Sequence, residues 1–394
     1  MLSWEYPPHV VGGLGRHVGE LLPHLAAQGV EVHLLTPRWA GGPEQEQVGA
    51  AMVYRLVSSL EGGGDYYQTA RRVNRLIEQH SHELWDELGG FDLIHAHDWL
   101  VGFAACGLHR RRAIPLLATI HATERGRGGG ALEGEMQRAI HDAEWWLCYE
   151  ASRLVCTSRF MADEVQRFFQ VPADVIEIIP NGVNADRWSA LRAEDLHSSR
   201  ERFAQPEEKI VFYVGRLVWE KGVHILVDAA PEILAHYPAV KFVVAGTGPE
   251  EEALRRRAAE LGLGDRFHFT GFIPDEDRDR LFGVADCAVF PSLYEPFGIV
   301  ALEAMGARVP VVASEVGGLR EFVRHAETGI SVYPNDASSL AQGVLQTLAH
   351  PEWAAQRAEN AYGMIQQEYR WERIAQRTLQ VYRRVVGQGA AVSV

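Results

Sequence analysis

The chain has 394 residues, of which 47% are hydrophobic and 23% are charged, and these proportions exclude a disordered or fibrous protein. The length exceeds what one hydrophobic core usually supports, so two domains are predicted. The formal net charge of −14 repels polyanions, which argues against nucleic acid or an anionic membrane surface as the main partner.

The four cysteines are scattered along the chain and form no CxxC pair, so the sequence indicates neither a zinc site nor a disulfide framework. The chain contains no run of about 18 apolar residues and no signal-peptide pattern. We therefore expect no integral membrane segment and a cytoplasmic location.

Short apolar runs alternate with longer amphipathic segments along the chain, a pattern typical of parallel sheets covered by helices on both faces. In the first half, strands are predicted at residues 1–3, 30–35, 52–56, 93–95, 116–120, 154–156 and 175–179, the first of them unusually short. The second half repeats the pattern at residues 210–214, 242–245, 267–270, 288–290, 310–313 and 330–332. Residues 184–208 are polar and lack a strand signal, so the interdomain linker is expected there.

Three motifs in the first half place polar groups after predicted strands. The turn Gly12–Gly15 opens a helix and can present backbone N–H groups to a phosphate, although a dinucleotide site or a purely structural turn remains an alternative. His97 and Asp98 follow one strand, and His121 follows the next. No HxxxH spacing or third ligand accompanies these histidines, so no metal is expected.

Two motifs in the second half suit a diphosphate. Arg216 and Lys221 lie on a glycine-bounded loop after a strand, where they can stabilise a leaving anion. Further on, the backbone amides of residues 298–300 open a predicted helix and form a second anion cradle. The carboxylates of Glu295 and Glu303 flank that helix start among apolar residues, where sugar or ribose hydroxyls are good partners.

These motifs, together with Pro180–Val183, resemble the retaining glycosyltransferases of family 4, of the glycogen and starch synthase type. The similarity is closest to bacterial α-1,4-glucan synthases, including the mycobacterial enzymes of methylglucose polysaccharide synthesis. It implies an α/β glycosyltransferase-B fold with two Rossmann-like domains facing across a deep cleft. The expected domains are residues 1–188 on the acceptor side, residues 189–365 for the nucleotide sugar, and residues 366–394 as a C-terminal helix that crosses back.

The resemblance also implies roles for individual residues. His121 would contact the transferred sugar with Asp98 close by, while Arg216 and Lys221 would hold the diphosphate. Glu295 would bind the sugar, Glu303 the ribose, and the base would rest near Phe272 and Ile273. The donor site would be completed by Gly13, Gly15, Asn181, Phe297, Gly298, Ile299 and Val300.

The expected reaction moves glucose from ADP-glucose or UDP-glucose to the non-reducing end of an α-1,4-glucan, in glycogen biosynthesis, with no cofactor. The lysine of the KxGG arrangement in bacterial glycogen synthases is absent from Val10-Val11-Gly12-Gly13, so the donor base stays open. Three alternatives remain: a lipid, small-sugar or osmolyte acceptor; an epimerase or phosphorylase on the same fold; and an inactive module that senses a nucleotide sugar.

Overall fold

The computed structural model describes residues 1–39, 41–57 and 65–391. Within these ranges, no helix is long and apolar enough to cross a membrane.

Among the described residues before residue 183, the structure contains seven strands and six α-helices. In chain order they are α1 (Gly13–Ala27), β1 (Val32–Pro37), β2 (Gln45–Val48), β3 (Ala51–Leu56), α2 (Tyr66–Leu88), β4 (Ile94–His97), α3 (Gly102–Arg112), β5 (Leu116–Ile120), α4 (Glu124–Arg127), α5 (Glu135–Glu150), β6 (Arg153–Cys156), α6 (Arg159–Phe169) and β7 (Ile176–Ile178).

The remaining elements continue the alternation and end in three helices. They are α7 (Ala193–Glu201), β8 (Lys209–Val214), α8 (Val223–His236), β9 (Val240–Ala245), α9 (Glu251–Glu260), β10 (Phe267–Gly271), α10 (Asp275–Val284), β11 (Cys287–Phe290), α11 (Ile299–Gly306), β12 (Val311–Ser314), α12 (Leu319–Phe322), β13 (Ile330–Val332), α13 (Ala337–Ala349), α14 (Pro351–Glu368) and α15 (Trp371–Ala391).

The chain forms two compact units. Unit 1 comprises Met1–Gly182 and the segment from Trp371 onward, and unit 2 comprises Val183–Arg370. Helix α15 belongs to unit 1 because its apolar side chains, including Trp371, Tyr382 and Val385, share a buried core with α1 and β1.

Unit 1 contains strands in the order β2-β3-β1 and β4-β5-β6-β7, and the short first strand joins them. Leu2 pairs in parallel with Leu35 of β1 and with Ala96 of β4. Three residues therefore suffice for a central strand, since both neighbours supply its hydrogen bonds. On one side of Leu2 the next strand is β1, and on the other side it is β4, so the strand order reverses at Leu2. This reversal creates a topological switch point.

Unit 2 contains one six-stranded parallel sheet in the order β10-β9-β8-β11-β12-β13. This is the strand order of a Rossmann fold, with its switch point between β8 and β11. Strand β11 and strand β12 are buried along their whole length, as expected for strands covered by helices on both faces.

The polar segment 184–208, expected to be the interdomain linker, belongs instead to unit 2. This segment forms the 3₁₀ helix Ala185–Ala190 and α7, and Arg200 of α7 anchors it to residues next to strands β8 and β11. The Arg200 guanidinium donates to the carbonyl oxygen of Val284 at 2.8 Å and to that of Glu208 at 2.7 Å, and it contacts the Asp286 carboxylate at 3.2 Å. Polar anchoring of this kind leaves no apolar pattern in the sequence.

Candidate active site

The switch point of unit 1 brings together His97, Asp98 and His121. His97 ends β4 and His121 follows β5, and their Nδ1 and Nε2 atoms lie 3.2 Å apart. The Asp98 carboxylate accepts a hydrogen bond of 2.7 Å from the backbone N–H of His121. Parallel neighbouring strands thus place all three residues at one sheet edge, as the sequence predicts for strand-end residues.

Asp98 is held in an uncommon backbone conformation, with a φ angle of 62°. This left-handed region costs about 1–3 kcal/mol for a non-glycine residue and persists where surrounding contacts fix it. Burial raises the pKa of the Asp98 carboxyl to about 7, while the hydrogen bonds from the His121 and Ala122 backbone act in the opposite direction. A strained, buried acid beside a histidine is typical of a functional site.

A second buried histidine, His17, completes this cluster from helix α1. Its ring lies 4.8 Å from the His121 ring between centroids, and its Nδ1 atom is 2.5 Å from Oδ1 of Asn181. Burial lowers the pKa of His17 and that of His121 to about 3, so both rings are neutral near pH 7. Asn181, expected beside the diphosphate, is therefore placed by the structure against His17.

His95 is a structural histidine. Its two ring nitrogens are bonded to the Tyr382 hydroxyl and to the Thr119 hydroxyl, each at 2.7 Å. Because both nitrogens are occupied and the ring is buried, His95 ties α15 to the sheet of unit 1 rather than facing a ligand.

The glycine turn of unit 1 already receives a carboxylate from its own chain. One Glu5 oxygen accepts hydrogen bonds from the backbone N–H groups of Val11 at 2.9 Å and Gly12 at 3.1 Å. A Cβ atom on Gly15 would lie 2.7 Å from that oxygen, so Gly15 permits the close approach of Glu5. Gly13 is the first residue of α1.

At the switch point of unit 2, Lys221 and Glu295 form an ion pair. The Lys221 Nζ lies 2.7 Å from Oε2 of Glu295, and the side chains are 20% and 15% exposed. The Ser292 hydroxyl donates to the same carboxylate oxygen at 3.3 Å. Two predicted site residues, 74 positions apart in sequence, are thereby brought into contact.

Backbone hydrogen bonds hold the two loops in this position. The carbonyl oxygen of Glu220 accepts from the N–H groups of Leu293 at 2.8 Å and Tyr294 at 3.3 Å. Gly222 has a φ angle of +66°, and a Cβ atom there would lie 2.0 Å from the carbonyl oxygen of Pro291. The loop therefore needs glycine at this position, directly after Lys221.

Arg216 and the start of α11 present further anion-binding groups in unit 2. The Arg216 side chain is 46% exposed, and its guanidinium lies 3.6 Å from the Glu220 carboxylate. Helix α11 begins at Ile299, and Gly298 precedes it with a φ angle of 103°. No side chain in the described part of the chain caps this helix end. The N–H groups of Gly298, Ile299 and Val300 are therefore the helix-start donors, as the sequence predicts.

Glu303 lies on α11 and is buried beside an arginine that the sequence did not single out. The Glu303 carboxylate is 3.7 Å from the Arg278 guanidinium, which also contacts the carboxylate of Asp275 at 2.8 Å. Arg278 comes from α10, whose first turn is acidic, as is favourable at a helix N-terminus.

The remaining predicted donor residues differ in exposure. Phe272 follows β10 and is 76% exposed, and with Ile273 it lines a cavity bordered by β10, α10 and the end of α7. Phe297, by contrast, is 5% exposed and packs 5.5 Å from Phe322 between ring centroids. Its side chain belongs to the core of unit 2, which leaves only its backbone for a ligand.

Sequence reasoning missed His17, Glu5 and Arg278. His17 occupies the apolar face of α1 with Leu14, Val18 and Leu21, so its polarity was the one available signal. Glu5 and Arg278 act through contacts that only the folded chain creates.

Two family models match the chain. "Glycosyltransferase Family 4" matches residues 11–187, and "Glycosyl transferases group 1" matches residues 197–364. The glycogen synthase of Mycobacterium tuberculosis is 35% identical over 97% of this chain and 93% of its own length. The D-inositol 3-phosphate glycosyltransferase of Acidothermus cellulolyticus is 30% identical over 94% of this chain and 85% of its own length.

Among solved structures, sucrose-phosphate synthase from Thermosynechococcus elongatus aligns with a TM-score of 0.85 and 28% identity, covering 98% of each chain. This match confirms the predicted glycosyltransferase-B fold, and the near-complete coverage of both relatives confirms the resemblance inferred from the motifs. The chain belongs to glycosyltransferase family 4 and is a glycosyltransferase.

Proposed function

We propose that this glycosyltransferase moves glucose, with retention of configuration, from ADP-glucose or UDP-glucose to the non-reducing end of an α-1,4-glucan. The observation that carries the proposal is the Lys221–Glu295 pair at the switch point of unit 2, beside Arg216 and the start of α11. The similarity to a glycogen synthase over 97% of the chain supports the choice of a glucan acceptor.

In the proposed donor site, the cationic and the anionic side chains bind different parts of the donor. Lys221 and Arg216 bind the diphosphate and stabilise the negative charge that grows as it leaves. Glu295, oriented by Lys221, accepts hydrogen bonds from glucose hydroxyls, and Glu303 accepts from the ribose hydroxyls. The positive charge of Lys221, Arg216 and the helix N–H donors offsets the negative charge of the nearby carboxylates. The chain as a whole has a net charge of −14.

In the transfer step, the acceptor hydroxyl oxygen forms a bond to the anomeric carbon on the same face from which the leaving group departs. The bond from that carbon to the diphosphate oxygen breaks, and this oxygen takes the proton of the acceptor hydroxyl. The neutral imidazole of His121 serves as a hydrogen-bonding contact for the transferred glucose. We propose that this step needs no cofactor.

A second candidate function uses a small acceptor in place of a glucan. It is favoured by the similarity to a D-inositol 3-phosphate glycosyltransferase and by the structural match to sucrose-phosphate synthase. Both relatives are named for phosphorylated products or substrates, so a sugar phosphate or an inositol phosphate is the acceptor class to compare.

The test incubates purified protein with ADP-glucose or UDP-glucose and one acceptor at a time: maltooligosaccharides, fructose 6-phosphate or inositol 3-phosphate. Release of nucleoside diphosphate and the size of the product are measured together. Release that depends on maltooligosaccharides, with chains longer by one glucose, supports a glucan synthase and identifies its donor. Product formed only with a phosphorylated acceptor favours the second candidate. Binding of a donor without transfer to any acceptor would instead favour a sensing module.

A further inference from the structure

Three histidines of unit 1 converge from separate elements. His17 comes from α1, His97 ends β4 and His121 follows β5. One ring nitrogen from each residue can be chosen so that all three lie within 4.8 Å of one another. The sequence offered no third ligand for the two strand-end histidines, and His17 supplies it.

The spacing of two of these nitrogens matches that of ligands on one metal ion. Nδ1 of His97 and Nε2 of His121 are 3.2 Å apart. For a tetrahedral ion with metal–nitrogen bonds of about 2.0–2.1 Å, two ligand nitrogens are separated by about 3.3–3.4 Å. The two imidazoles are thus arranged as neighbouring ligands. The widest separation allowed in the cluster, 4.8 Å, exceeds the tetrahedral value by about 1.4 Å, so closing the site requires a movement of His17 by up to about that distance.

The His17 ring is oriented as metal-binding histidines usually are. Its Nδ1 lies 2.5 Å from Oδ1 of Asn181, an oxygen that only accepts, so Nδ1 carries the proton. Nε2 therefore carries a lone pair, and it is buried without a hydrogen-bond partner among the described residues. A ligand histidine almost always donates its other ring N–H to such an oxygen, which fixes the ring and raises its basicity.

From this geometry we propose that His17, His97 and His121 form a site for a divalent transition-metal ion such as Zn²⁺, with the fourth position open. Three imidazoles suit Zn²⁺, Co²⁺, Ni²⁺ or Cu²⁺, whereas Mg²⁺ and Ca²⁺ prefer oxygen ligands. His121 is the least buried of the three residues, so the open position lies on its side of the cluster. Asp98 accepts from the His121 backbone and thereby orients this ligand.

Occupation of the site has a consequence for catalysis, and this part rests on the proposed function. His121 is the proposed contact for the transferred glucose, and a bound ion would use its ring nitrogen. The metal would then act as a reversible inhibitor of transfer rather than as a cofactor.

Cobalt spectroscopy tests the site without any activity measurement. Protein stripped with EDTA is titrated with Co²⁺, because a four-coordinate Co²⁺ ion with nitrogen ligands absorbs visible light far more strongly than the hydrated ion. We expect one equivalent to produce the strong bands and Zn²⁺ to abolish them. Asn181→Ala should weaken binding about 10–100-fold by removing the orienting oxygen. His17→Ala should weaken it at least as much, while His24→Ala on the same helix should leave it unchanged.

Two results would overturn the site: only weak bands of six-coordinate Co²⁺ with the wild-type protein, or equal affinity in His17→Ala. Both are measured on binding alone, so they leave the proposed function standing. In the transfer assay, Zn²⁺ should inhibit wild-type protein and His24→Ala, EDTA should reverse the inhibition, and His17→Ala should lose it. Strong cobalt bands without inhibition would support the site and remove His121 from the transfer step.

Discussion

The Lys221–Glu295 pair gives a quantitative test of the proposed donor site. At 2.7 Å and an effective dielectric constant of about 20, the Coulomb attraction is about 6 kcal/mol. Desolvation of both groups offsets most of it, and a net coupling of about 1–3 kcal/mol is expected for residues in one network. Either alanine variant alone should lose about 10²–10³-fold in kcat, as other charge-stabilising groups do.

A double-mutant cycle measures this coupling. Lys221→Ala, Glu295→Ala and the double variant are compared by kcat/KM for nucleoside diphosphate release. The double variant should lose less than the product of the two single losses, by about fivefold to 150-fold. Losses that multiply to within about twofold would refute the reasoning, because independent residues add in free energy.

A matched ion pair elsewhere in unit 2 provides the control. Lys209 Nζ lies 2.9 Å from Oδ1 of Asp286, away from the switch point, at the start of β8. Lys209→Ala should lower the stability of the protein but leave kcat/KM within about twofold of wild type. An equal loss of transfer in this variant would show that the effect of Lys221→Ala is merely structural.

Three further predictions concern single residues. Gly317→Ala should lower transfer at least tenfold, because its Cβ would lie 2.0 Å from the carbonyl oxygen of Glu295 and displace that loop. Burial raises the pKa of Glu144 well above 4.5, so the folded protein binds a proton that the unfolded chain releases, and stability falls as pH rises above about 4.5. Glu144→Gln should flatten this decline in urea unfolding between pH 5 and pH 8. Tyr382→Phe should cost about 1–3 kcal/mol in unfolding, since it leaves a buried nitrogen of His95 without a partner.

Each of these variants has a control or a contradicting result. Gly262 has a similar φ angle of +70° with no atom within 4 Å of an added Cβ, so Gly262→Ala should retain transfer. If the unfolding free energy declines with pH as steeply in Glu144→Gln as in wild type, this result would contradict the assignment of the decline to Glu144. Tyr149 is 70% exposed, and Tyr149→Phe should leave the unfolding free energy unchanged, in contrast to Tyr382→Phe.

The sequence predicted the strands whose composition reflects burial on both faces. The apolar run of β8 lies within two residues of its predicted position, and the same holds for the other parallel strands. Strand β2, with the sequence Gln-Glu-Gln-Val, was not predicted, because it pairs antiparallel with β3 and its side chains alternate between exposed and half-buried. The hydrogen bonds between paired strands involve backbone groups, so the pairing does not show in the polarity of the side chains.

The candidate site likewise contains residues that the sequence could predict and residues that it could not. Residues at the end of a strand or on the loop after it, such as His121 and Lys221, could be found because parallel strands end at a common edge. His17 could not, since its partner Asn181 is 164 positions away and the contact depends on how α1 packs. The approach of Arg278 to Glu303 likewise depends on two helices meeting, which periodicity does not encode.

The return of α15 to unit 1 sets an order for folding during synthesis. Translation proceeds at about 5–20 residues per second, and unit 2 (Val183–Arg370) lies between the two parts of unit 1, so about 10–40 seconds separate the synthesis of Gly182 from that of Trp371. Until then, part of the apolar surface of α1 that Trp371 and Tyr382 cover stays open to water and to chaperones. Unit 2 is therefore fully synthesised before unit 1 receives its last helix, and a nascent chain stalled before residue 371 would carry an incomplete unit 1.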